Sequence, residues 1–243
     1  MKSRNILVIL ILLLVAFGLS STEMLRSFGS IMRDISEKKE DEKFYAEIRS
    51  LAKDDAGLYS KTSLLMYMDF SGMAGWICIE GTEISYPVML EEGSVGYYLD
   101  HRADGAYSSA GSLFIPSGNG PSDDNVIIYG HHMRNGTMFA GLEAYKDEEW
   151  ANAHRSITFI SEEGAATYEV ISVFVQSMAE EGYRWENKVM FEDDMERDDF
   201  RHRIEGLSRF RFGDTNREYT RFITLVTCDY SVPEGRVIVV GAL

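Results

Sequence analysis

The stretch TLVTCDYSVPEGRVIVVG, residues 224–241, contains two β-forming runs with a turn between them. Residues 224–227 are mostly β-formers, and residues 229–235 carry the Asp, Ser, Pro and Gly that favour a turn. The β-branched run 237–240 is typical of a buried strand. The sequence therefore predicts a strand, a turn and a strand, with Cys228 where the first strand ends and Arg236 where the second begins.

Similar short runs fill the chain upstream of this stretch, as far back as about Gly75. Turn residues separate them, as in SGNGP at 117–121. Many short strands at close spacing indicate a β-barrel or sandwich rather than a parallel α/β sheet. The upstream runs are GWICIEGTEISYPVML (75–90), AGSLFIP (110–116), NVIIYG (125–130), SITFI (156–160) and TYEVISVFV (167–175).

Two helical patterns interrupt the predicted strands. Residues 137–145 and 194–210 each place apolar side chains on one helical face. The second segment has acids near its start and arginines near its end, as the helix dipole prefers. We therefore expect a mainly β domain with a long helix before its last two strands.

Composition excludes some classes of partner. The net charge of −15 argues against nucleic acid, because phosphate backbones demand a basic face. Hydrophobic residues make up 45% of the chain, which is enough for a sizeable core. Cys78 and Cys228, the two cysteines, lie too far apart in sequence to form a disulfide framework, although a single bridge stays open.

The N-terminus carries a targeting signal. Lys2 and Arg4 precede an uncharged apolar stretch that ends at Thr22, close to the ~20 residues of a membrane-spanning helix. Positive charge at the start predicts that this end stays in the cytoplasm and that the rest is exported. A signal peptide cleaved near Gly18-Leu19-Ser20 is the alternative.

The chain is expected to have three parts. Residues 1–22 form the anchor or signal peptide, residues 23–70 a helical membrane-proximal segment, and residues 71–243 the β-domain. Within the helical segment, apolar side chains recur at one helical spacing, and this stripe comprises Phe44, Ile48, Leu51 and Ala52.

The position of Cys228, where a strand ends, fits a small packing residue poorly, and from the residue pattern alone catalysis and packing are equal alternatives. A nucleophilic cysteine must react as a thiolate, and a free thiol has a pKa of about 8.5, so a nearby base or cation has to activate it. Arg236 supplies a cation, and the doublet His131-His132 follows a predicted strand that ends at Gly130. If that strand stays extended through the doublet, only one of the two rings faces Cys228. Cys78 lies in the middle of a predicted strand and is typical of a small packing residue.

These features together resemble the sortase family, the cysteine transpeptidases of Gram-positive bacterial surfaces. The family pattern is TLxTC followed by an arginine, with a histidine directly after a glycine that ends an earlier strand. TLVTC, Arg236 and YGHHM match it, so Cys228, Arg236 and His131 correspond to its catalytic residues, with His132 as the adjacent alternative. The segments GWICIEGTEISYPV (75–88) and NVIIYGHHMRNGTMFAGLEAY (125–145) resemble class B sortases in particular.

The resemblance implies a fold and a reaction. The fold is a closed, mostly antiparallel β-barrel of about eight strands with N-terminal helices. In the reaction, Cys228 attacks the threonine carbonyl of a C-terminal sorting motif in a secreted protein, and an amine of a cell-wall peptide resolves the thioacyl enzyme. His131 is the general acid and base, and Arg236 binds the oxyanion or the substrate backbone. No cofactor or metal is implied, and the catalytic domain is expected outside the cell, tethered to the membrane by its N-terminal helix.

The resemblance also suggests two substrate-binding residues, Asp229 directly after the nucleophile and Tyr183 before the long helix. An ordinary loop role for either is an equal alternative. A non-enzymatic reading also stays open, in which a membrane-anchored β-domain binds wall polymer or a partner.

Overall fold

The computed structural model describes residues 2–52, 72–213 and 217–243, with the side chains of residues 2–23 and 34 left outside that description. The chain divides into two compact units, residues 1–46 and residues 47–243. The first unit lies within one long helix, α1 (Lys2–Leu51). Within the described residues, no helix is both long and apolar enough to cross a membrane.

The second unit is built on eight strands. They are β1 (Met73–Ile79), β2 (Ser85–Leu90), β3 (Leu113–Ile115), β4 (Asn125–Tyr129), β5 (Ser156–Ser161), β6 (Gly164–Ser177), β7 (Phe222–Asp229) and β8 (Gly235–Ala242). They close into a barrel in the order β1-β2-β3-β4-β7-β8-β6-β5. Only the pairs β2–β3 and β4–β7 are parallel, so the predicted closed, mostly antiparallel barrel is confirmed.

Short helices connect the strands. Among the described residues of the barrel region, 72–213 and 217–243, there are two α-helices, α2 (Glu148–Ala153) and α3 (Asp194–Leu207), and α3 is the long helix expected before the last two strands. Asp193 caps α3 by accepting a hydrogen bond from the Glu196 amide at 2.8 Å. The helix predicted at 137–145 is instead a 3₁₀ helix, Phe139–Lys146. Two shorter 3₁₀ segments span Tyr97–Leu99 and Trp185–Asn187.

The outer face of β4, β6, β7 and β8 is covered by an apolar cluster that includes α3. Phe200 and Ile204 of α3 pack there with side chains from the four strands, and the segment between β6 and α3 adds Trp185 and Phe191. Because side chains alternate along a strand, this cluster fixes which strand residues face outward. The predicted stripe on α1 is correct at Ile48 and Ala52, which are buried, but Leu51 is 39% exposed.

Candidate active site

The hairpin of β7 and β8 places Cys228 beside Arg236. The two residues are direct partners across the antiparallel pair. Directly opposed residues point to the same face, with Cβ atoms about 4.5–5.5 Å apart. Cys228 is a free thiol and is partly exposed. Cys228 and Arg236 therefore lie side by side at one edge of the barrel, with the guanidinium turned back toward the carbonyl of Gly235.

The Arg236 guanidinium makes few hydrogen bonds within the protein. One nitrogen, Nη1, donates to the carbonyl of Gly235 at 2.9 Å and approaches that of Glu234 at 3.4 Å. Among the described residues, no carboxylate forms an ion pair with Arg236. A guanidinium has five N–H donors, so most of them remain available to a substrate oxygen.

The tip of β4 lies next to the end of β7. The two strands run parallel, and the Gly130 amide donates to the Val226 carbonyl at 3.1 Å, one residue beyond the end of β4. A Cβ at position 130 would come within 2.3 Å of the Leu113 side chain and 2.8 Å of Phe139. Only glycine leaves room for the chain to pass between these two side chains. The histidine doublet that follows lies at the edge where Cys228 lies.

The two histidine rings contact different carbonyls. The Nε2 of His131 lies 2.7 Å from the Leu99 carbonyl oxygen, and the Nδ1 of His132 lies 2.9 Å from that of Cys228. A carbonyl oxygen can only accept, so each of these nitrogens carries a proton. A neutral His131 ring then has Nδ1 free to take up a proton. The Nδ1 of His132, in contrast, donates a hydrogen bond to the main-chain carbonyl of Cys228.

The other cysteine has different neighbours. Cys78 is likewise outside any disulfide and partly exposed, so burial does not distinguish it from Cys228. Its direct partners on the adjacent strands are Ser85 and Thr158. Neither partner is a base or a cation, so strand pairing places no such activating group beside Cys78.

A tyrosine on β4 lies beside β7, opposite the residue two positions before Cys228. Tyr129 is the direct partner of Val226 on β7. Burial, together with the carboxylate of Glu186, raises the pKa of Tyr129 to about 12, although Arg236 acts in the opposite direction. The phenol is therefore neutral at physiological pH. The positive charge of Arg236 also interacts electrostatically with Tyr129.

Asp229 does not face the same side as Cys228. Its side chain is fully buried and forms an ion pair with Lys146 at the end of the 3₁₀ helix. It also accepts hydrogen bonds from the amide of Ser231, at 2.7 Å, and from its hydroxyl. Burial alone would raise the pKa of Asp229, but the hydrogen bonds from Lys146 and Ser231 lower it. The carboxylate is thus engaged within the protein.

Tyr183 packs against the apolar cluster rather than the thiol. Its ring lies 6.4 Å from that of Phe200, and the guanidinium of Arg203 lies over it at 5.4 Å. Its hydroxyl is buried and has no hydrogen-bond partner among the described residues. Burial raises its pKa. The structure therefore brings Cys228, Arg236 and the histidine doublet to one edge, buries the Asp229 carboxylate within the protein and packs the Tyr183 ring on the apolar cluster.

Three residues at this edge were not anticipated from the sequence. Leu99 orients His131 through its carbonyl, Lys146 pairs with Asp229, and Gln176 of β6 is the direct partner of Arg236. Each depends on a contact between segments far apart in the chain. The sequence around them carries no pattern that would have marked them.

Comparison with known proteins identifies the family. The Sortase domain model matches residues 77–243, which includes every strand after β1 and the end of β1 itself. Sortase B of Listeria monocytogenes is 34% identical over 175 residues, covering 70% of this chain and 69% of the relative. Sortase B of Staphylococcus aureus is 28% identical over 176 residues, covering 70% of each.

Solved structures show the same fold. A mutant form of Clostridium perfringens sortase B superposes with a TM-score of 0.73 at 28% identity, covering 83% of this chain and 97% of that one. Sortase B of Bacillus anthracis, in complex with AAEK1, gives 0.72 at 26% identity, covering 86% and 98%.

Proposed function

The chain belongs to the sortase family of cysteine transpeptidases, in class B, and we propose that it attaches secreted proteins to the cell wall through a thioacyl intermediate on Cys228. The observation that carries the proposal is the direct pairing of Cys228 with Arg236, at the edge where β4 delivers His131 and His132. A nucleophile, a cation and a base thus meet on a rigid barrel edge.

In the first step the Cys228 thiolate, whose proton has been taken up by Nδ1 of His131, attacks the threonine carbonyl of a sorting motif near the C-terminus of the secreted protein. A carbon–sulfur bond forms and the peptide carbon–nitrogen bond breaks. His131 gives a proton to the leaving amine, which departs with the rest of the sorting signal. The product is a thioester between Cys228 and the secreted protein, so one hard amide exchange is divided into two easier steps.

In the second step an amine of a cell-wall peptide attacks the thioester. A new amide bond forms, the carbon–sulfur bond breaks, and the Cys228 thiolate is restored. His131 takes a proton from the incoming amine and so returns to its starting state. Its Nδ1 is the atom suited to this exchange, because Nε2 donates to Leu99.

Arg236 stabilises the charge that develops on the carbonyl oxygen in both steps. Its planar fork and permanent charge suit an oxyanion better than a lysine ammonium does. The hydrogen bonding of the guanidinium supports this role. Within the part of the protein that the structure describes, only Nη1 donates to other groups, so the remaining N–H donors can bind the oxyanion without breaking an existing hydrogen bond.

Substrate-binding roles for Asp229 and Tyr183 stay predictions. The Asp229 carboxylate is buried against Lys146 and Ser231, so we propose that it acts by fixing the turn that follows Cys228. Tyr183 lies in the segment between β6 and α3, and we propose that it supports this segment where it borders the site.

We further propose that the protein works outside the cytoplasm, where sortase domains in general act. Its acyl donor is a secreted protein with a C-terminal sorting motif, and its acceptor is a peptidoglycan peptide or a precursor. The membrane tether predicted at residues 1–22 involves side chains outside the described residues, and it stays a prediction from the apolar sequence there.

A peptide-library cleavage screen tests the proposal. Peptides varied around a central threonine are incubated with the enzyme and an amine acceptor, and products are identified by mass spectrometry. Cys228→Ala is expected to abolish cleavage and the acyl adduct on the enzyme, because Cys228 is the thiol that strand pairing places next to Arg236. Cys78→Ala is the matched control and is expected to retain most of the turnover.

Retention of most activity by Cys228→Ala would overturn the mechanism. A second measurement distinguishes an enzyme from a domain that only binds. It compares the rates at which Cys228 and Cys78 react with a thiol reagent. Fast reaction of Cys228 relative to Cys78 is expected of a catalytic thiol, whereas equal and slow reaction favours a domain that only binds wall polymer or a partner.

A further inference from the structure

Gln176 lies beside the proposed catalytic arginine, and the geometry points to a role in the reaction. We propose that Gln176 is a positioning residue, whose side-chain oxygen accepts a hydrogen bond from Arg236 and aims the guanidinium at the acyl group on Cys228. This inference rests on the transpeptidase function proposed above.

The strand register places the three residues in one row. Arg236 of β8 is the direct partner of Gln176 on β6 and of Cys228 on β7. Both pairs are antiparallel, so all three side chains point to the same face of the sheet. Their neighbours further along the strands, Phe174, Ile238 and Val226, belong to the apolar cluster on that same face. The row therefore forms the polar border of this cluster.

The carboxamide of Gln176 has a fixed orientation. Its Nε2 donates to the main-chain carbonyl of Tyr183 at 3.1 Å. Because a carbonyl can only accept, this contact identifies the nitrogen and leaves Oε1 at the other end of the group. A Cβ at Gly182 would lie only 2.9 Å from the same nitrogen, so the segment after β6 packs closely on the amide.

The oxygen of this carboxamide lacks a partner. Oε1 of Gln176 is buried and accepts no hydrogen bond from any described residue. A buried acceptor without a donor is unfavourable and calls for an explanation in a folded protein. Strand pairing places Arg236 directly beside Gln176, and of its guanidinium only Nη1 is engaged by the described residues, and only with main-chain carbonyls. A rotation of the Arg236 side chain toward the row would satisfy Gln176.

A neutral acceptor suits this position. A carboxylate there would fix the guanidinium equally well, but it would cancel much of the positive charge that the oxyanion needs. A neutral carboxamide oxygen orients the Arg236 guanidinium and does not offset its positive charge. The Gln176–Arg236 pair can therefore orient donors toward the acyl oxygen without weakening them.

Steady-state kinetics with the full chain test the role. Gln176→Met keeps the length of the side chain and removes the acceptor, and Thr167→Ala, exposed near the other end of β6, is the matched control. Losing a hydrogen bond to a charged group should lower kcat about tenfold to a hundredfold. We expect KM and the melting temperature to change little, because methionine keeps the length of the side chain and the lost bond aims Arg236 rather than holding the peptide.

A double variant separates positioning from structure. In the Arg236→Ala background, Gln176→Met is expected to cause no further loss of kcat, because the group that it orients is gone. An equal loss in both backgrounds, or a large fall in melting temperature, would show that Gln176 serves the fold and would overturn the proposal.

Alkylation of Cys228 gives a readout that needs no peptide. In a Cys78→Ala background, the anionic reagent iodoacetate is compared with neutral iodoacetamide. A guanidinium held over the thiol favours the anion, so the rate ratio should fall several-fold in Gln176→Met and stay unchanged in Thr167→Ala. An unchanged ratio in Gln176→Met overturns this inference even where cleavage depends on Cys228. A fallen ratio in an enzyme that cleaves no peptide upholds the pairing and refutes the transpeptidase proposal instead.

Discussion

At the scale of single residues, the histidine doublet shows how adjacent side chains acquire different tasks. β4 ends at Tyr129, and the amide of Gly130 continues the pairing with β7 by one hydrogen bond before the two histidines. His131 donates to a carbonyl of the 3₁₀ segment Tyr97–Leu99, whereas His132 donates to the carbonyl of Cys228 itself. The first contact leaves a free ring nitrogen for proton transfer, and the second fixes the main chain of the nucleophile.

We expect His131→Ala to lower kcat about 10²–10⁴-fold, the usual contribution of a general acid and base. His132→Ala should cost much less, because it removes one hydrogen bond to a carbonyl that solvent can replace. Turnover of a cleaved sorting peptide and the melting temperature are measured for both variants. The opposite ranking would assign proton transfer to His132.

At the scale of elements, a buried ion pair connects the 3₁₀ helix Phe139–Lys146 with the end of β7. Burial alone would lower the pKa of Lys146, but its hydrogen bonds with Asp229 and Glu143 raise it. The pKa of Asp229 is held below its ordinary value of 3.8. A carboxyl group whose pKa is lowered by folding stabilises the folded state above its ordinary pKa, and this stabilisation is lost as the pH falls through the lowered value.

Asp229→Asn should therefore reduce the free energy of unfolding at pH 7 by about 1.5–3 kcal/mol, because Lys146 loses one of its two carboxylate partners and keeps only Glu143. The difference between the variant and the natural protein should shrink as the pH falls below 3.8. Urea unfolding at several pH values measures both effects. Glu143→Gln is the control, since this more exposed partner of Lys146 should cost at most about 1 kcal/mol. A pH-independent difference would assign the loss to packing.

At the scale of the whole molecule, the proposed catalytic groups all belong to one compact unit, residues 47–243. That unit contains the closed barrel, α3 and the apolar cluster between them. The unit comprising residues 1–46 contributes none of the groups that the proposed mechanism uses.

A protein that begins at residue 47 should thus unfold in a single transition and cleave a soluble sorting peptide at the rate of the full chain. It should also leave the membrane fraction of cells, whereas the full chain stays there if residues 1–22 are a retained anchor. Circular dichroism, turnover and cell fractionation measure these outcomes. Loss of turnover by a folded 47–243 protein would show that the first unit takes part in catalysis.

Much of the barrel and part of the site were determined by local sequence. Cys228 and Arg236 are separated by a short turn, so a hairpin brings them together whatever the rest of the chain does. Likewise, the alternation and β-branching of the runs at 125–130, 167–175 and 236–241 define strands without reference to their partners.

Only the tertiary structure decided how distant strands align. The register of β6 against β8 shifts at an irregularity between Val170 and Ser172, and this sets Gln176 opposite Arg236. The contacts of His131 with Leu99 and of Asp229 with Lys146 likewise join segments far apart in the chain. A register change of a single residue reverses the face of every side chain in a strand, and this register is fixed by packing over the whole barrel rather than by neighbours in sequence. For that reason the sequence predicted Cys228 and Arg236 as partners in the site, and the fold selected the groups that surround them.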